Sequence, residues 1–160
     1  MKWLKRLLFG KIRYHENEDF GILEARVKSE KLSVIVMWTA RRVLDGHIRE
    51  TTLLFDGNVE GPTPESIQQM REIESMMPKI LDQIEEILVR ETQLTQVVDW
   101  RKHFYLEAIA PNLNGFNLIF GPTNPQYSEK LCCYYEDGSI RKVEMIGQQT
   151  TDWRGRIVPV

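Results

Sequence analysis

Three histidines and two cysteines are the side chains of this 160-residue chain best suited to acid–base, nucleophilic or metal chemistry. Imidazole titrates near neutral pH and ligates metals, while thiolate is a nucleophile and a soft ligand. Both uses require partners at defined spacing. None of His15, His47 and His103 falls three to five residues from another. Cys132 and Cys133 are adjacent rather than spaced as Cys-x-x-Cys, so local spacing supports no zinc site. Neighbouring strand residues point to opposite faces, which places the two thiols badly for a disulfide and suits a reducing compartment. Desolvation in an apolar strand opposes the thiolate, so a pair of small buried residues is the simpler reading.

The densest group of potential oxygen ligands is His15-Glu-Asn-Glu-Asp19. It has neither the spaced oxygens nor the turn glycine of a calcium loop, and reads as an acidic surface turn. There is no Gly-x-Ser-x-Gly elbow and no glycine-rich run ending in Lys-Ser or Lys-Thr. The expectation is a non-enzyme with no catalytic residue, no metal and no cofactor. An enzyme would have to assemble its site from dispersed residues, in a concave pocket that includes one of the histidines or a cysteine.

Charge offers more than chemistry does. The net charge of −2 argues against a general nucleic-acid binder, which needs a clear surplus of Lys and Arg. Residues 2–13 nevertheless hold Lys2, Lys5, Arg6, Lys11 and Arg13 with no acid, and Glu16, Glu18 and Asp19 follow at once. Segment 1–9 is apolar but broken by Lys5 and Arg6, too short for a signal peptide's apolar region. It reads as a short amphipathic segment docked on the domain in preference to a membrane-surface anchor. No other stretch approaches the ~20 apolar residues of a membrane span, so a soluble, cytoplasmic chain is expected.

Length and composition, with 42% hydrophobic and 28% charged residues, fit one globular domain over residues 1–160. Alternation over Leu23–Val27 predicts a half-buried strand, and the apolar run Leu32–Trp38 predicts a central one, with Ser29–Lys31 as a tight connection. Phe9–Tyr14 could add an edge strand, and Ile48–Phe55 a further one. The period then changes. Thr63 can cap a helix that has Pro64 at its first position. Ile67, Met70, Ile73, Met77, Ile80, Ile84 and Leu88 continue it to about Arg90, with Pro78 expected to kink or divide it. Its outer face carries more acid than base, which is either an ordinary solvated face or a surface for a basic partner.

Strands return at Phe104–Ala110, Phe116–Phe120, Leu131–Tyr135 and Arg141–Ile146, the last two flanking the turn Glu136-Asp-Gly-Ser139. Residues 150–160 form a poorly patterned tail. Strands, one long helix, then strands define an α+β class with a mainly antiparallel sheet.

The sequence of features Phe-Gly-Lys (9–11), Gly-Pro-Thr-Pro-Glu (61–65), Phe-Tyr-Leu-Glu-Ala-Ile (104–109), Gly-Phe-Asn-Leu-Ile-Phe (115–120) and Tyr-Glu-Asp-Gly-Ser-Ile (135–140) resembles a broad group of small bacterial α+β proteins. That group includes immunity proteins of polymorphic-toxin, contact-dependent and type VI secretion systems. The resemblance covers about Phe9 to Gly147 as architecture and spacing, and it carries over no catalytic residue. It implies a protein that binds and neutralises a cognate toxin domain. Candidate contact residues are the acidic turn Glu16, Glu18 and Asp19, the hairpin tip Glu136 and Asp137, and the tail pair Trp153 and Arg154, since exposed Trp and Arg are frequent anchors. The alternative is a general interaction or assembly module, including a homodimer joined through a strand edge or the helix.

Overall fold

The computed structural model describes residues 10–90, 100–124 and 129–147, and the backbone of 149–151 and 157–159. The N-terminal segment 1–9, with Trp3, and the tail pair Trp153 and Arg154 lie outside the described residues.

Eight strands form one sheet in which spatial order equals chain order. They are β1 (Lys11–Asn17), β2 (Gly21–Val27), β3 (Val36–Val43), β4 (Glu50–Gly57), β5 (Phe104–Pro111), β6 (Gly115–Pro122), β7 (Lys130–Glu136) and β8 (Ser139–Ile146). Every neighbouring pair is antiparallel except β4–β5, which is parallel with Thr52 opposite Ala108. A parallel pair needs a long crossover, and α1 (Pro64–Arg90) lies within it. Two four-stranded meanders are thereby joined through one helix. The class is α+β with the sheet dominant. Beyond the sheet, Gln149–Thr151 and Ile157–Pro159 pair antiparallel, which gives the unpatterned tail regular structure.

The core lies between α1 and one face of the sheet. Ile67, Met70, Ile73, Met77, Ile80, Ile84 and Leu88 recur at helical spacing and all are buried. They meet Leu23, Trp38, Phe55, Ile109, Leu118, Cys133 and Val143 from seven strands. The helix starts as its residues dictate: the Thr63 hydroxyl accepts the Ser66 amide at 3.1 Å, and Pro64 needs no donor. Pro78 does not divide the helix. It sits exposed within one continuous helix, and it cannot give Glu74 C=O the usual i→i+4 amide.

Two register slips set which residues face inward. One falls between Leu106 and Ala108, so Leu106 and Ile109 both reach the core although three residues apart. The β7–β8 hairpin turns at Asp137 (φ 49°) and Gly138 (φ 78°), both left-handed, as a two-residue turn requires.

One expectation fails. Leu32–Trp38 is not a central strand, because the chain from Lys28 to Ile35 is a loop and β3 begins only at Val36. Val36 and Trp38 face inward, whereas Leu32 is 57% and Ile35 79% exposed. Apolar content alone selected a strand there, but the run lacks the alternation of a sheet buried on one face.

Candidate binding cleft

The chain between β3 and β4 leaves the sheet as a lip over Leu44–Arg49. Leu44 anchors it in the core, its carbonyl accepts the His47 amide at 3.0 Å, and Gly46 takes the left-handed turn (φ 78°). Opposite the lip stand the middle of α1, from Glu74 to Asp82, and a one-turn helix, α2 (Trp100–His103). Phe104, Leu106 and Phe120 line the space between them. The cleft is open to solvent and about 970 Å³ in volume, at the upper end of the roughly 300–1,000 Å³ of ligand pockets.

One end of the cleft holds Arg42 and Glu74. Arg42 Nη1 donates to the Asp19 carbonyl at 2.8 Å, and its guanidinium lies 5.7 Å from the Phe20 ring centre. Its Nε stands 3.7 Å from Glu74 Oε1. That oxygen is buried and accepts no hydrogen bond. Burial therefore raises the Glu74 pKa; Arg42 opposes the rise, and Asp45 and Asp19 add to it.

Arg49 marks the other end, with its guanidinium 4.5 Å from the Tyr105 ring centre. Its one hydrogen bond is a long donation to the Thr123 carbonyl at 3.4 Å, and among the described residues no carboxylate pairs with it. On the α2 wall, Arg101 bridges Asp82 at 3.0 Å and Glu85 at 2.8 Å. Trp100 beside it is 4% exposed and meets Phe120 edge-on, 5.3 Å between ring centres. Its indole N–H is buried without an acceptor. His47, on the lip, has its pKa lowered by burial.

The arrangement suits recognition. An apolar floor supplies burial, and Arg49, held over the Tyr105 ring, offers a cation to an incoming carboxylate or carbonyl.

The residues singled out from sequence fall elsewhere. Glu16 and Glu18 are exposed near the β1–β2 turn. Asp19 is taken up by Arg71, whose Nε donates to Asp19 Oδ2 at 2.7 Å. Asp137 pairs with Arg141 at 3.3 Å on the β7–β8 turn, with Glu136 half-buried beside it. None of these lines the cleft. The acidic helix face is also less open than its composition implies, because Arg101 engages two of its carboxylates.

Of the histidines, only His47 lines the cleft. His15 packs edge-on against Trp38 at 5.8 Å, and His103 is exposed at the end of α2. Cys133 belongs to the core, where burial first and Cys132 second push its thiol far up. Cys132 is buried outside that core cluster and its thiol is raised mainly by burial. Burial thus disfavours the thiolate at both positions. Among the described residues no three His, Cys, Asp or Glu side chains are grouped to hold a metal ion, and no helix is long and apolar enough to cross a membrane.

Sequence reasoning missed Arg42, Arg49, Glu74, Trp100 and Tyr105. The turn signal Asp45-Gly46 located the lip, but no local pattern announces that three segments so distant in sequence meet around one space. Comparison with protein-family models, with curated proteins and with solved structures gives no match.

Proposed function

We propose that this chain is a non-catalytic binding protein that captures a protein partner at the cleft, and that it serves as an immunity protein whose partner is a toxin domain. The observation that carries the binding reading is Arg49, held over the Tyr105 ring and without a carboxylate partner among the described residues, in an apolar-floored cleft that Trp100 and Arg101 also line. Trp, Tyr and Arg dominate binding hot spots, above all around concave, desolvated pockets. The toxin half of the proposal rests on the sequence resemblance. It implies one cognate partner, encoded alongside, bound one-to-one at nanomolar affinity or tighter, with no turnover. Calorimetry with the product of the adjacent gene, paired with a growth-protection assay in cells expressing that product, tests it. Saturable one-to-one binding with protection supports the proposal; a neighbour that neither binds nor is neutralised contradicts it.

One observation favours a second, catalytic reading. His47 and Glu74 line the same cleft, and burial perturbs both, lowering the first pKa and raising the second, as is common for titratable groups in active-site clefts. Chemistry on the captured partner would change its intact mass on incubation, and His47→Ala would abolish the change. An unchanged mass removes this reading for that partner. The assembly-module alternative, self-pairing through the outer edge of β1 or β8 or through α1, predicts a concentration-dependent mass in light scattering. A constant monomer mass contradicts it.

A further inference from the structure

We infer that the corner of the sheet where β1 begins and the β2–β3 loop projects docks on an anionic membrane surface. Leu32, Val34 and Ile35 stand exposed on that loop at 57%, 39% and 79%. An irregular segment that presents three large aliphatic side chains to water is unusual, because loops are ordinarily polar where they are exposed. The Val34 amide donates to the Lys31 carbonyl at 3.1 Å, so a backbone turn holds this apolar tip in shape.

The charge around the tip has one sign. Lys28 and Lys31 are exposed on the loop, and its single acid, Glu30, is ion-paired with Arg13 of β1. Lys11, opposite Val27 at the start of β1, is exposed as well. Asp56, opposite the exposed Met37, marks where the cationic corner stops.

Gly10 runs so close to β2 that a Cβ on it would stand 2.6 Å from the Val27 carbonyl oxygen, and its φ of +77° is left-handed. The chain therefore joins the sheet immediately beside the loop. Lasting attachment to a bilayer takes two weak signals, such as an apolar insertion and a polybasic patch. This corner brings both together. Charge complementarity selects an anionic leaflet over a neutral one.

Flotation of the full chain with lipid vesicles tests the inference. The chain is expected to float with phosphatidylcholine vesicles containing about a quarter phosphatidylglycerol, to stay behind with phosphatidylcholine alone, and to be released by about 0.5 M salt. Ile35→Asp with Leu32→Asp, and separately Lys28→Glu with Lys31→Glu, should each weaken partitioning at least about tenfold. Circular dichroism should report unchanged folding, since all four side chains are exposed. No flotation with the anionic vesicles, equal flotation with neutral ones, or full flotation of both variants overturns the inference. So does a dimer in light scattering that Ile35→Asp dissolves, because the loop's occupant is then a second copy.

Discussion

Trp38 is the side chain on which the first meander depends most. It is 1% exposed, its indole N–H donates to the Asn58 carbonyl at 2.9 Å, and His15 packs against its ring. Trp38→Ala is expected to lose about 3–5 kcal/mol in urea unfolding. Trp38→Phe keeps most of the apolar contact but leaves that carbonyl without its donor, and should lose about 1–3 kcal/mol. An unchanged stability in Trp38→Phe would show that the hydrogen bond contributes nothing, and equal losses for the two variants would show that the ring's apolar contact adds nothing beyond it. Glu74 gives a prediction with a pH signature. A carboxyl whose folded pKa exceeds its unfolded value holds its proton more tightly in the folded state. The penalty on ionisation is absent below the ordinary value of 4.5 and grows as pH rises through the raised one. The wild type should therefore lose stability relative to Glu74→Gln as pH climbs from about 4 to 7. Parallel stability curves for the two proteins across that range would contradict the burial of Glu74 as described.

At the scale of the elements, α1 is the most legible part of the fold and Pro78 its least regular residue. The helical spacing, the Thr63 cap and the Pro64 start are all local signals, and each is realised. Pro78 is exposed and withholds an amide from Glu74 C=O, so Pro78→Ala restores that one hydrogen bond at the wall of the cleft. Interior proline costs about 3 kcal/mol, offset in part by its stiffening of the unfolded chain. A net gain of about 2 kcal/mol is expected in thermal unfolding; a loss would mean that the proline's bend is needed to seat α1 on the sheet. The alternating strand β2 and the Asp137-Gly138 turn were equally plain in the sequence, for the same local reasons. The β2–β3 loop was not. Leu32, Val34 and Ile35 are strand-forming by type, and only the whole fold, which leaves them exposed on a loop, shows that they do not join the sheet.

The cleft exists only at the scale of the whole molecule. Its walls come from Arg42–Arg49, Glu74–Asp82 and Trp100–Leu106, which meet because the β4–α1–β5 crossover lays the helix across the junction of the two meanders. No periodicity or motif records that meeting, so sequence reasoning turned instead to the clustered acids of the β1–β2 and β7–β8 turns, where charge density is visible in one dimension. Asp19 and Asp137 are engaged by neighbouring arginines, whereas among the described residues no carboxylate pairs with the guanidinium of Arg49. An arginine held in this way is poised for a partner's acidic group, and charge reversal there affects binding with little cost to folding, because an exposed side chain is replaced. The decisive measurement is titration calorimetry of wild type and Arg49→Glu against the adjacent gene's product. The account predicts one-to-one binding by the wild type and at least about 30-fold weaker binding by the variant, the factor for a hot spot of about 2 kcal/mol. Undiminished binding by a correctly folded Arg49→Glu would contradict the cleft as the site of capture.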